Sequence, residues 1–284
     1  MKKLNLLAAI LTISILAISG SAQLKRTTTK SDSFEFGVGG TITIQGAPKG
    51  SISVEGWSKN EVEIVAEITV EAATDADLDR LSKVVGFQLD ESMGRVGIIS
   101  LGTHDKRYVK KIDKKFPKEL FTNAWRIDYV LKVPRFADLE IDGGVGDLRV
   151  SNVEGALKIN YLETNAKLEL VGGGVLAVFG KGDVDVSIPT RSWRGRFADV
   201  QLAAGTMSLN LPSGLNAEFD ATILRTGTIE NGFEGFKPRV RKQEFTDKSI
   251  AAKAGTGGVA LKFSVGDGTL KIMQDRRPTV ADLR

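Results

Sequence analysis

The chain has 284 residues, 31 of them glycine, with no cysteine, a single histidine and a formal charge of +4. Without cysteine there is no disulfide framework, thiolate nucleophile or zinc ribbon, and one histidine cannot build a multi-histidine metal centre. Glycine at about 11%, against a usual share of roughly 7%, points to many turns.

Met1-Lys2-Lys3 is a basic start, residues 4–18 are apolar apart from Asn5, Thr12 and Ser14, and Gly20 and Ala22 are the small residues before a cleavage point. This is the pattern of a secretory signal peptide over residues 1–22, so the mature chain is expected to begin at Gln23. An uncleaved anchor is the alternative, yet the apolar stretch is shorter than the roughly 20 residues a spanning helix needs. No later segment is apolar enough to span a bilayer, so no integral membrane protein is expected after leader removal. Loss of Lys2 and Lys3 takes the charge from +4 to +2, which does not indicate a nucleic-acid binder. A periplasmic, cell-surface or secreted bacterial protein is expected.

Thr41-Ile42-Thr43-Ile44, Ser51-Ile52-Ser53-Val54 and Glu61-Val62-Glu63-Ile64 alternate polar with apolar β-branched residues, bounded by Gly46, Gly50 and Gly56. That period of two is the signal of half-buried strands. Thr74 precedes Asp77 by three, and Leu78, Leu81 and Val85 share a helical face, so one short helix is predicted near 75–85. Strands follow at 96–101 and 125–133, where Ile127, Tyr129 and Leu131 alternate. Between them, 103–118 is the one strongly basic stretch, and it reads as a solvated loop. The alternative is a basic amphipathic turn, with Tyr108, Ile112 and Phe116 four apart, that touches anionic lipid or polysaccharide.

From residue 136 the apolar residues come as pairs: Leu139/Ile141, Leu148/Val150, Leu157/Ile159, Leu168/Leu170, Leu176/Val178 and Val184/Val186. Their first members advance by 9, 9, 11, 8 and 8 residues. Strands this short cannot each bury a face alone, and stacking in a β-solenoid is the economical solution. The predicted fold is therefore all-β. An N-terminal β-rich section over 23–135 with one short helix continues as one unit into a repeat-built, β-helix-like section over 136–284. An antiparallel sandwich gives strands at similar spacing and is the main rival.

Gly50-Ser51-Ile52-Ser53-Val54-Glu55-Gly56-Trp57, Tyr129-Val130-Leu131-Lys132-Val133-Pro134, Gly146-Asp147-Leu148-Arg149-Val150, Leu209-Asn210-Leu211-Pro212 and Gly266-Asp267-Gly268-Thr269-Leu270-Lys271-Ile272 share a small or acidic corner and an apolar-x-apolar core. In this the chain resembles a bacterial family of adhesin-like β-repeat proteins of unknown function, whose repeats are similar to the heads of autotransporter adhesins. Gly174-Val175-Leu176-Ala177 lacks the acidic corner, and residues 190–200 interrupt the repeat. The resemblance implies a β-helix-like solenoid in the envelope or at the surface, and it carries over no catalytic residue and no cofactor.

No G-x-G-x-x-G is completed, no serine stands in a nucleophile elbow, and His104 lies in the basic loop away from any triad-like context. Asp142, Asp147, Asp183, Asp185 and Asp267 recur at corners, where two acids stacked by neighbouring coils could bind Ca²⁺ or share a proton. Without a sustained calcium repeat, they read as aspartates bonding to their own turns, and no metal site is assigned. The candidate ligand-binding residues are Arg191, Trp193, Arg194 and Arg196. An indole face stacks on sugars, and arginines grip carboxylates or phosphates. The alternative is a corner where Trp193 and Phe197 cover a core edge. The expected function is non-enzymatic: an exported adhesin-like or scaffold protein of the cell envelope, displaying a polar surface to an envelope polysaccharide or a surface protein. A polysaccharide lyase or hydrolase on a β-helix, or an accessory protein in envelope signalling, are the alternatives.

Overall fold

Seventeen strands, most of them alternating buried with exposed residues, make up the computed structural model, which describes residues 23–37, 39–189, 195–241 and 244–275. The predicted leader, 1–22, lies outside the described residues. In chain order the elements are β1 (Leu24–Glu35), β2 (Thr41–Gln45), β3 (Ile52–Trp57), β4 (Glu61–Ala72), α1 (Asp75–Val84), β5 (Gly86–Ser92), β6 (Arg95–Leu101), α2 (Lys106–Ile112), a 3-10 turn (Glu119–Thr122) and β7 (Trp125–Pro134). There follow β8 (Asp138–Val145), β9 (Leu148–Ser151), β10 (Leu157–Glu169), β11 (Gly174–Ser187), β12 (Phe197–Pro212), β13 (Ala217–Ile223), β14 (Gly227–Gly232), β15 (Phe236–Pro238), β16 (Ser249–Ala254) and β17 (Val259–Asp275).

The strands join into one open sheet with two wings. In the first wing the order is β5, β6, β2, β8, β10, β11, β12, β17, β13, β16, β15. In the second it is β1, β4, β7, β3, β9, β10, β11, β12, β17, β14. The four longest strands belong to both wings, each bending in its middle where the ladder skips one residue: Leu162, Gly180, Ala203 and Gly266. Pairing in the middle of each wing is parallel, and antiparallel pairs occur at the ends. Leu139 lies opposite Leu157, and Leu157 opposite Val175, a step of eighteen residues each time. The spacing of nine read from the sequence is thus half of this step, one apolar pair per wing.

This corrects the expected strand length, because β10 holds thirteen residues and runs from the pair Leu157/Ile159 to Leu168 of the next pair, with the corner inside the strand. The pair Leu176/Val178 is also corrected: both are about half exposed, while Val175, Ala177 and Phe179 are buried. Gly174-Val175-Leu176-Ala177-Val178-Phe179 is apolar at both parities, so alternation cannot phase it. The neighbour does so, since Leu157, Ile159 and Tyr161 face inward and stand opposite Val175, Ala177 and Phe179.

The wings face each other across one core. Tyr129 of β7 meets Phe87 of β5 edge-on at 6.0 Å, and its hydroxyl shares a 2.7 Å hydrogen bond with Ser100 of β6. Ile44, Ile141, Ile159, Ala177, Val200 and Phe263 point in from the first wing, and Val54, Val150, Leu168, Val186, Leu209 and Ile272 from the second. Each large aliphatic side chain so buried contributes about 1.5–3 kcal/mol against the entropy of ordering the chain.

Burial pushes the Tyr129 hydroxyl up to about 12, against the opposing hydrogen bond with Ser100. An unfolded tyrosine titrates near 10, so the folded state holds this proton more tightly. Stability is intact below pH 10 and falls as pH climbs toward 12. Tyr129→Phe should flatten that alkaline loss, read by far-UV circular dichroism, and a variant whose alkaline limb parallels the parent's would count against the assignment.

At the N-terminal end α1 forms as the sequence predicts, with the Thr74 hydroxyl accepting from the Asp77 amide and Leu78, Leu81 and Val84 buried. The basic stretch is corrected from a loop to a helix, α2, whose first amides, Arg107 and Tyr108, donate to the Asp105 carboxylate at 2.9 and 3.0 Å. Its apolar residues do not form one exposed face: Ile112 is 51% exposed, while Phe116 is buried against Phe121 at 5.1 Å. At the other end, β17 is laid between β12 and β13, although β13 to β16 precede it in the chain. No helix among the described residues is long and apolar enough to cross a membrane.

Candidate ligand site along the glycine corner

Where the second wing begins, six glycines stack one above another. Gly50, Gly146, Gly182, Gly205, Gly268 and Gly227 all have φ between 128° and 150°. A Cβ on Gly205 would lie 1.9 Å from the Gly182 carbonyl oxygen, and one on Gly268 would lie 1.8 Å from that of Gly205. Both the backbone angle and the approach of the next strand therefore require glycine. Thr164 occupies the one intervening place, buried, with its hydroxyl unpartnered among the described residues.

Directly after this corner the chain turns a polar residue outward seven times, and pairing aligns these residues with Asp128, Glu67 and Thr29 of β7, β4 and β1 into a row. Glu67, Asp128, Ser51, Asp147, Asn165 and Asp183 stand side by side, Ser51 and Asp147 just before β3 and β9 and the others within successive strands. The row continues through Thr206, Thr269 and Thr228 to the last strand and through Thr29 to the first. Ten strands set about 4.8 Å apart carry it roughly 43 Å.

The row opens into a cleft of about 570 Å³ lined in part by Lys49, Ser51, Glu71, Trp125, Arg126 and Asp147. A recess of about 160 Å³, which shares Asp147 with the cleft, extends it past Glu163 and Asn165. Arg126 Nη2 donates to Asp128 Oδ1 at 2.6 Å, and the Ser51 amide and hydroxyl donate to the same oxygen at 2.8 and 2.7 Å. Burial alone would raise the Asp128 carboxyl, but these bonds hold it below the usual carboxylate range. The hydrogen bond to Asp128 raises Arg126 in turn, aided by Glu67 and Asp147. One guanidinium thus faces three carboxylates. Tyr161 anchors the corner from the core, its hydroxyl donating to the Gly50 carbonyl at 3.2 Å and pushed up to about 12, first by burial and then by Asp147 and Asp128.

Trp125 forms one wall of the cleft. Its indole N–H donates to the Thr103 hydroxyl at 2.8 Å, and the His104 ring stacks on it at 5.4 Å. Partial burial pushes the His104 imidazole down, against the pull of Asp105. Farther along the second wing a shallow groove of about 720 Å³ brings together Arg149, Lys167, Glu169, Asp185, Ser187 and Asn210. The surface therefore offers hydrogen-bond donors and acceptors of both charges, the chemistry that recognises a hydroxyl-rich or zwitterionic polymer.

Of the residues chosen from the sequence, Arg191, Trp193 and Arg194 lie outside the described residues. Arg196 is exposed just before β12, its amide donating to the Gly173 carbonyl at 2.7 Å. That places it at the end of the first wing away from the glycine corner, and the structure does not bring it to the cleft. Among the corner aspartates, Asp142 accepts from Asn160 and Asp147 from Asn165, one strand over rather than within their own turns. Asp267 is held by Arg225 and Thr226, bonds that keep its carboxyl near 2. No group of three or more possible metal-ligating side chains occurs among the described residues. Arg126 and Asp128 were not singled out by the sequence; the alternation Trp125-Arg126-Ile127-Asp128-Tyr129 marks them as outward, but their partner Ser51 is 77 residues away.

No family model matches the chain, and no curated protein matches it. Among solved structures, the chain is similar to a "putative cell adhesion protein" from Clostridium sporogenes, at 12% identity and a TM-score of 0.43, over 88% of this chain and 100% of that one. It is also similar to a "putative adhesin" from Bacteroides fragilis, at 10% identity and a TM-score of 0.28, over 87% and 97%. A third similarity is to a "putative adhesin" from Parabacteroides distasonis, at 11% identity and a TM-score of 0.23, over 86% and 97%.

Proposed function

We propose that the chain is an exported, non-enzymatic, adhesin-like or scaffold protein of the bacterial envelope. Its parallel strands, with steps of eighteen residues from β8 to β10 and from β10 to β11, act as a β-solenoid that holds a polar face rigid toward an envelope polysaccharide or a surface protein. The observation that carries this reading is the unbroken outward row, ten strands wide, fixed at its base by the glycine corner. Display depends on such rigidity, because a ligand that spans several strands then loses little by waiting for side chains to order.

The test is an array of bacterial envelope polysaccharides probed with the mature chain. Retention on at least one polymer is expected, and Arg126→Ala should weaken it about tenfold, roughly 1.4 kcal/mol, with melting unchanged. Trp193→Ala in the same array separates the Arg191, Trp193, Arg194 and Arg196 cluster from the corner row. A chain retained by no polymer and no cell surface, or one that shortens a polymer on incubation, would overturn the proposal.

A further inference from the structure

β1 is an edge strand of twelve residues that pairs only with β4 among the described residues, leaving its outer side open for its whole length. The opposite end of the second wing is closed, since Ile229 of β14 donates to the Asp247 carbonyl and Lys248 to that of Gly227. An open edge of this length is a template for another strand, and proteins usually blunt it. β1 is instead charged asymmetrically, with Lys25 and Arg26 near its start and Asp32 and Glu35 near its end.

We propose that β1 pairs antiparallel with β1 of a second copy about a two-fold axis at Thr29, joining two second wings into one continuous sheet. The axis sets Arg26 against Asp32 of the partner subunit, and this pair occurs twice. On the same side Leu24, 38% exposed, meets Phe34 of the partner subunit, and Thr28 meets Lys30 of the partner subunit. On the other side Thr27 faces Ser31, Lys25 faces Ser33, and Thr29 faces itself. No like charges oppose each other, whereas an axis one residue on would set Lys30 against its own copy. The Ser33 amide donates to its own Asp32 carboxylate at 2.9 Å, which marks the odd-numbered amides as those turned away from β4. The axis at Thr29 pairs odd with odd, as an antiparallel ladder requires. Arg26 already contacts Asp79 and Asp75 of α1 and is thereby held over the strand. A ribbon this narrow buries less than a standard interface, so the dimer forms in a concentration-dependent way.

The test uses the absence of cysteine in the chain. Thr29→Cys places two thiols across the axis and is expected to give a disulfide-linked dimer under mild oxidation, while Ser58→Cys, exposed in the turn before β4, stays monomeric. The parent should double its sedimenting mass as concentration rises. Thr29→Pro, which removes only an outward amide, should remain a monomer with unchanged melting. A parent that is monomeric at every concentration, or cysteine variants that cross-link at equal rates, would overturn the proposal. So would a monomer whose odd-numbered β1 amides resist hydrogen exchange, since the edge would then be covered by another segment.

Discussion

Gly205→Ala is expected to destabilise the protein by about 3–5 kcal/mol, a large part of the stability of an ordinary domain. Two costs coincide at this residue. Its φ of 134° lies where L side chains are strained by about 1–3 kcal/mol. The new methyl group would also stand 1.9 Å from the Gly182 carbonyl oxygen, on backbone that is itself fixed between two strands. Relief requires prising β11 from β12 at the corner, which breaks parallel hydrogen bonds on both wings. Urea melts of Gly205→Ala and of Thr206→Ala, one residue later and outward, make the comparison. The second should stay within about 0.5 kcal/mol of the parent. Equal midpoints for Gly205→Ala and the parent would remove the structural role assigned to the glycine corner.

Phe219→Ala should cost a similar amount, about 3–5 kcal/mol, by a different route. The ring is fully buried on β13, stacked on Phe236 at 4.5 Å and tilted against Phe263 at 5.6 Å. Truncation leaves a cavity lined by two stiff aromatic rings that cannot collapse into it. Because parallel strands in a stack touch mainly their neighbours, the damage should stay near β13, β16 and β17. Hydrogen exchange is the measure: faster exchange in those strands with β2, β3 and β8 still protected is expected. Uniform loss of protection would mean that the stack opens as one unit.

The parts of this architecture that were legible in the sequence are those with local signatures. Alternation in 41–54, 61–68 and 125–133 placed strands, and the Thr74 cap with Leu78 and Leu81 placed α1. β1 escaped notice because Lys25-Arg26-Thr27-Thr28-Thr29-Lys30 is polar on both faces, so no period appears. Leu176 and Val178 were misphased for the converse reason, apolar residues at every position. α2 was missed because seven residues bury only Val109, too little for a helical period to show. The cleft was illegible because its parts come from the β2–β3 corner, β4, β7 and the β8–β9 corner, and only pairing across tens of residues brings Ser51 and Asp147 to the Arg126–Asp128 pair. The glycines were visible as corners; that those of Gly182, Gly205 and Gly268 fall inside strands follows from register, which no local window contains.

The placement of β17 between β12 and β13 has a consequence for assembly. A polypeptide emerging from its amino terminus completes β13 and β14 before the strand that will flank both of them has been made. Until the seventeen residues of β17 arrive, β12 has a bare margin and the Phe219 ring of β13 lacks Phe263. Closure around β12 and β13 therefore waits until β17 has been made, and such long-range insertion is slow compared with winding neighbour onto neighbour. β17 acts as a keystone, and the sheet cannot be completed by adding strands in simple chain order.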